Sequence, residues 1–135
     1  MAVVRTEDMP LRSSEDVVLA RQMARKWAVE LGFTLVDQTK IVTAASELAR
    51  NMIVHGGGGK LTIDSLNDGN RRGLRLVFQD EGPGIADVAL ALKDGYSTGT
   101  GLGLGLGGSK RLANEFEIQS WPGEGTSVAF TRWRG

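Results

Sequence analysis

Three short stretches of this sequence carry residue types that could do chemistry. In Gln79-Asp80-Glu81-Gly82-Pro83-Gly84-Ile85 an acidic residue closes a strand-like run, with glycines beside it. Pro83 cannot continue a sheet ladder, and the flanking glycines permit dihedrals closed to other residues. Asp80 can accept a hydrogen bond from an amino group, while the Cβ-free backbone at Gly82 and Gly84 lets a flat ligand lie against the main chain. The same heptapeptide also reads as a strand end followed by a tight turn. In Glu47-Leu48-Ala49-Arg50-Asn51 a carboxylate and an amide stand four residues apart, so they stack on one face of a helix. They can face a cleft together, or sit solvated at a helix rim with Glu47 paired to Lys40 or Arg50. The third stretch is Gly99-Thr100-Gly101-Leu102-Gly103-Leu104-Gly105-Leu106-Gly107-Gly108. It leads into a helix start, where exposed backbone N–H groups attract anions, and it reads as a lid that closes over phosphates.

Other phosphate-binding motifs fit that run poorly. A Walker A loop needs Gly-Lys before Ser or Thr, and the order here is Gly108-Ser109-Lys110. Gly103, Gly105 and Gly108 satisfy G-x-G-x-x-G, but a dinucleotide fold wants a strand just before it and a parallel unit after it. No H-R-D or D-F-G triplet accompanies it, which removes the protein-kinase glycine loop.

The elements that must hold these stretches follow from periodicity and punctuation. Residues 2–6 read as a short first strand. Ser13 or Ser14 offers an N-cap, and Val17, Ala20, Ala24, Trp27 and Leu31 form the stripe of an amphipathic helix stopped at Gly32. Thr34 with Asp37 opens a second helix that runs to about His55. Its apolar arc is Ile41, Ala45, Leu48 and Met52, with Glu47 and Asn51 at the edge of that arc. Leu61–Leu66 and Leu74–Asp80 alternate as strands of a hairpin joined by turn residues 67–73. Ile85–Leu92 is a short apolar helical segment, and Ser109–Asn114 a further helix. Phe116–Trp121 and Thr126–Trp133 form a last hairpin around Pro122-Gly123-Glu124-Gly125. Hairpins with helices between them predict an α/β fold, a two-layer sandwich with a mixed, mostly antiparallel sheet covered on one face.

Composition narrows the function classes. The 135 residues fit one domain, 1–135, able to bury a core. Sixteen basic and sixteen acidic residues leave no footprint for nucleic acid or an anionic membrane. Cysteine is absent, which removes disulfides and thiolate metal sites. Ala2-Val3-Val4 is too short for a signal peptide or anchor, so a soluble cytoplasmic protein is expected. Glycine is the outlier at 19 residues, and its clustering marks local backbone requirements, not low complexity.

Taken together, Glu47-x-x-x-Asn51, Asp80-x-Gly82-x-Gly84, Gly101-x-Gly103-x-Gly105-Leu106 and Gly125-Thr126 resemble, in order and spacing, the N box, the glycine boxes and the late Gly-Thr pair of the GHKL (Bergerat-fold) ATPase and kinase superfamily. Within it, Ser46–Asn51, Asp94–Thr98 and Lys110–Ser120 are similar to the RsbT-type stressosome switch serine kinases. The anti-sigma regulatory factors are the neighbouring branch. The resemblance implies an ATP-Mg²⁺ site. Asp80 would take the adenine amino group, with Gly82, Gly84, Ile85 and Thr126 around the base. Asn51 would ligate Mg²⁺, and Ser97, Thr98, Gly99, Gly101, Leu102, Gly103, Leu104, Gly105 and Leu106 would cover the phosphates. Glu47 would orient or deprotonate an acceptor hydroxyl. It also implies a STAS-domain antagonist as protein substrate, and then a phosphatase regulator or sigma factor. The alternative it leaves open is an anti-sigma factor that sequesters a sigma factor, with nucleotide tuning the affinity. His55, the single histidine, reads as a helix C-terminal residue suited to the dipole and not as a phosphoacceptor.

Overall fold

The structure, a computed structural model, describes residues 1–82, 106–121 and 123–134. The segment Ile85–Leu92 and the glycine run up to Gly105 therefore lie outside the described residues. In chain order the elements are β1 (Ala2–Leu11), α1 (Ser14–Glu30), α2 (Leu35–Gly56), β2 (Gly59–Asp68), β3 (Arg71–Asp80), α3 (Leu106–Leu112), β4 (Glu115–Trp121) and β5 (Gly125–Arg134). The strands form one sheet in the order β1-β2-β3-β5-β4. Every pairing in it is antiparallel, so the expected mixed character resolves to a purely antiparallel sheet among the described residues.

Pleat alternation decides what faces the helices. Leu61 opposes Phe78, Ile63 opposes Leu76, Leu76 opposes Phe130 and Phe78 opposes Val128. With a period of two, these residues share one face. They are buried in a single core with Ala20, Ala24 and Trp27 of α1 and Ile41, Ala45, Leu48 and Met52 of α2. Both apolar stripes read from the sequence thus point inward. Phe78 and Phe130 are almost fully buried, and truncating either to Ala removes about 3–5 kcal/mol of stability.

The helix ends follow local chemistry. Thr34 Oγ1 accepts the Asp37 backbone N–H at 3.2 Å, as the capping motif requires. Asp37 does not reach back to complete a reciprocal box. Its carboxylate takes Arg132 of β5 instead, at 2.7 Å. Ser13 is the N-cap of α1 by position but makes no side-chain cap bond. Asp16 supplies the local acceptor, taking the Arg12 backbone N–H at 2.8 Å. Gly57 ends α2 in the left-handed conformation at φ 75°, where a glycine costs least. His55 sits in the last turn of α2, where it was expected.

Three boundaries differ most from the sequence reading. The first strand is ten residues long, not five. Its partner lies some fifty residues away, with Met9 opposite Leu61, and Pro10 is tolerated because an edge strand has one unpaired side. The β2–β3 turn contracts to Gly69-Asn70, and Gly73 is a strand residue opposite Trp133. A Cβ at Gly73 would lie 2.7 Å from the Trp133 ring, so this glycine serves packing and not a turn. The helix expected at Ser109–Asn114 runs Leu106–Leu112, because buried Leu106 and Ser109 turn it toward the interior.

Candidate functional site

The site is assembled where β3 ends against the C-terminus of α2. Phe78 and Val128 oppose one another, and Gln79 opposes Ser127. One step further, Asp80 and Thr126 become neighbours on the helix-facing side of the sheet. Asp80 Oδ1 accepts two backbone N–H groups, from Gly82 at 2.9 Å and from Thr126 at 3.2 Å. These bonds fix the carboxylate plane and leave Oδ2 directed toward α2.

Missing Cβ atoms let the main chain close in on it. A Cβ at Gly56 would stand 2.5 Å from both Cγ and Oδ2 of Asp80, a distance no real contact reaches. A Cβ at Gly125 would stand 2.2 Å from the Asp80 carbonyl oxygen. Gly82 in turn packs onto the Gly56 backbone, where a Cβ would meet its Cα at 2.7 Å. Beside these contacts lies an open cleft of about 660 Å³ lined by residues 56–60 and 79–81. Its wall is largely main chain with a carboxylate at the back, a shape that admits a planar ligand carrying a hydrogen-bond donor.

Thr126 is nearly buried. Its hydroxyl lies 3.0 Å from the Ser120 hydroxyl, so β4 steadies the residue that steadies Asp80. Glu47 and Asn51 lie on α2, on the same helix whose last residue meets Asp80. At 1.5 Å per residue, Asn51 is roughly 7 Å and Glu47 roughly 13 Å back along the axis from Gly56. Neither lines the cleft described above. The Glu47 carboxylate is paired with Arg50 at 3.4 Å, and their side chains are 37% and 60% exposed. The rim pairing foreseen for Glu47 therefore exists, and its partner is Arg50. Asn51 is half-buried and engaged in contacts of its own. Leu106 opens α3 with its side chain in the core. Of the other residues implicated by sequence, Gly84, Ile85, Ser97, Thr98, Gly99, Gly101, Leu102, Gly103, Leu104 and Gly105 lie outside the described residues.

The sequence reading ends the second helix at about His55 and gives Gly56 no role in the site. Its role against Asp80 had one available signal, a glycine run longer than a helix stop needs, but no local pattern names the residue it must clear. Among the described residues no three acidic or histidine side chains gather as a metal cage. A magnesium ion bound with a nucleotide has no need of one, since it is held by one or two protein oxygens together with phosphates and waters. The Asn51 amide oxygen is a donor of that kind. The Asp80 carboxylate, at the wall of that cleft, has the chemistry to take an adenine amino group.

Residues 36–134 match the protein-family model described as Histidine kinase-, DNA gyrase B-, and HSP90-like ATPase. The chain is 48% identical over 118 residues to Serine/threonine-protein kinase RsbT of Bacillus subtilis (strain 168), covering 87% of this chain and 89% of that protein. It is 31% identical over 131 residues to the Anti-sigma F factor of Thermoanaerobacter sp. (strain X514), covering 93% of this chain and 90% of that one. Among solved structures it is similar to the RsbU and RsbW domains of a Mycobacterium tuberculosis protein. There the TM-score is 0.61 at 18% identity, over 98% of this chain and 34% of the other. It is also similar to the SiaB–SiaC complex from Pseudomonas aeruginosa, with TM-score 0.55 and 14% identity over 98% and 91% of the two chains. At such identities the structural likeness concerns the fold.

Proposed function

The chain belongs to the histidine kinase-, DNA gyrase B- and HSP90-like ATPase family, and we propose that it is an ATP-dependent protein serine/threonine kinase of a bacterial partner-switching pathway. The observation that carries this reading is the Asp80 carboxylate, clamped by the Gly82 and Thr126 amides and seated against the Gly56 main chain at the wall of the cleft. The 48% identity to a serine/threonine-protein kinase across most of both chains supports it.

In this reading Asp80 accepts the adenine amino group, and Gly82, Gly84, Ile85 and Thr126 bound the base. Asn51 holds Mg²⁺, which neutralises phosphate charge. Ser97, Thr98 and the lid from Gly99 to Leu106 cover the phosphates. Phosphoryl transfer depends chiefly on positioning and charge neutralisation. The acceptor hydroxyl oxygen bonds to the γ-phosphorus, the bond from that phosphorus to the β–γ bridging oxygen breaks, and ADP leaves. Glu47 receives or orients the hydroxyl proton, for which its carboxylate must exchange Arg50 for the incoming hydroxyl. The protein substrate is a STAS-domain antagonist presenting a Ser or Thr, and the kinase freed from it binds a phosphatase regulator. Among the described residues no helix is long and apolar enough to cross a membrane.

One observation favours a second reading. The 31% identity to an anti-sigma F factor, over nearly the whole of both chains, fits a protein that sequesters a sigma factor, with nucleotide tuning the complex. The test is to mix the protein with labelled ATP and with STAS-domain and sigma-factor candidates from its own genome. Labelled phosphate on a STAS Ser or Thr is the expected result. Tight sigma-factor binding without transfer to any STAS protein would replace the kinase with the anti-sigma reading.

A further inference from the structure

At the end of the sheet remote from Asp80, three arginines meet around one cleft. Arg71 and Arg72 begin β3 and Arg134 ends β5. With Asp80 at the far end of the same ten-residue strand, the two ends are roughly 30 Å apart. The cleft measures about 380 Å³ and is lined by Asn67, Gly69, Asn70 and the three arginines.

Arg72 and Arg134 are direct cross-strand partners. Like charges in that position destabilise a sheet, and among the described residues no carboxylate pairs with either of them. Among the described residues neither guanidinium has a hydrogen bond or ion pair. Arg134 passes over Gly32, where a Cβ would come within 3.2 Å of its Nε. The α1 carbonyl end there offers only a partial charge. Arg71 is held in place differently. It pairs with Asp68 at 2.9 Å and lies over the Trp133 ring at 4.1 Å from the centroid. Trp133 is itself packed on Gly73 and donates its indole N–H to Glu115. The whole chain is electrically neutral, so this excess of positive charge is local.

We propose that this end of the sheet is a docking site for a carboxylate-rich segment of a partner protein, gripped by Arg72 and Arg134, with Arg71 at the rim on the opposite face of the strand. Guanidinium groups bind carboxylates through paired parallel hydrogen bonds. Two of them side by side on adjacent strands match neighbouring acidic side chains on one segment. A lone inorganic anion would leave most of a 380 Å³ cleft to water, since one water accounts for about 30 Å³. The cost of opposing two arginines is the kind of stability sacrifice that binding surfaces carry. The inference does not depend on the kinase reading, because the site is separate from the Asp80 cleft.

The experiment titrates the whole protein with hexaglutamate peptide while following the arginine Nε–H and Trp133 indole N–H resonances, with inorganic pyrophosphate in a parallel arm. Saturable shifts that weaken with added salt are expected, because the contacts are exposed charge pairs. The double variant Arg72→Gln/Arg134→Gln should bind the peptide at least ~10-fold more weakly, keep its ATP affinity, and melt at the same or a higher temperature because the like-charge contact is gone. Absence of saturable shifts, or shifts indifferent to the double variant, would overturn the proposal. So would pyrophosphate binding as tightly as the peptide, which would mark a phosphate site. A fall of several degrees in Tm would assign the arginines to the fold and overturn it as well.

Discussion

Gly56 and Asp80 fit together as a gap and the group that fills it. A Cβ at position 56 would stand 2.5 Å from the carboxyl carbon of Asp80, so the last residue of α2 and the last residue of β3 approach as closely as backbone and carboxylate can. The contact joins the helix bearing Glu47 and Asn51 to the strand end bearing the candidate base-binding group.

Gly56→Ala tests that contact by the sign of its effect. In an ordinary helix the change would add up to about 1 kcal/mol of stability through helix propensity. Here overpacking should dominate and cost about 1–3 kcal/mol, with ATP affinity falling because Asp80 is displaced. Denaturant unfolding and calorimetry give the two readouts. A more stable variant with unchanged nucleotide binding would mean the gap has no role.

Asp80→Asn should leave the fold intact and still lose the ligand. The amide oxygen can replace Oδ1 toward the Gly82 and Thr126 N–H groups, which turns the NH₂ toward the cleft, donor against donor. A charged hydrogen bond is worth about 1.5–3 kcal/mol, or roughly ten- to a hundredfold in Kd. Equal ATP affinity in variant and parent would move the base pocket elsewhere.

Glu47 and Arg50 separate chemistry from surface pairing. Glu47→Gln should slow transfer to a STAS substrate at least ~10²-fold while ATP binds nearly as before. Arg50→Glu places a second carboxylate one turn from Glu47 and should weaken substrate docking, a change that acts mainly on the encounter. Because the pair is exposed, removing it should alter stability by no more than about 1 kcal/mol. Single-turnover assays beside melting curves distinguish these effects. Matching losses of stability and transfer in both variants would make the pair structural only.

Arg132 ties the helix after the glycine run to the start of α2. One guanidinium nitrogen reaches the Leu112 carbonyl at 2.8 Å and the other the Asp37 carboxylate at 2.7 Å, with side chains only 14% and 24% exposed. Single Ala variants at Asp37 and Arg132 should each cost about 1–3 kcal/mol. Their double-mutant cycle should return a coupling of at least ~0.5 kcal/mol. Additive losses would mean that the two ends are held independently.

Asp68 supplies a sign-defined pH effect. Its carboxyl is held below the ordinary aspartate value, first by the hydrogen bond from Arg71 and then by that residue's charge. A lowered folded-state value means that the contribution is present above the unfolded pKa and fades as pH falls through the folded one. A carboxyl-carbon titration should place the Asp68 midpoint below that of a free aspartate, and Arg71→Gln should return it upward. An unmoved midpoint in that variant would exclude Arg71 as the cause.

The sequence by itself determined the amphipathic elements of the core. The stripes Ala20–Ala24–Trp27 and Ile41–Ala45–Leu48–Met52 record a 3.6-residue period, and Leu74–Leu76–Phe78 a period of two, because each follows from backbone geometry within one element. The Thr34 cap is equally local. So is the four-residue spacing that stacks Glu47 on Asn51. Tertiary structure alone decided what each residue meets. The full length of β1 depends on a partner strand fifty residues on, Gly73 on the ring of Trp133, and Asp37 on Arg132 rather than on its own helix start. Gly56 against Asp80 and Arg72 opposite Arg134 belong to the same class. Each is a contact across sequence distances that no periodicity spans, set by strand register and by where the α2 axis lands on the sheet.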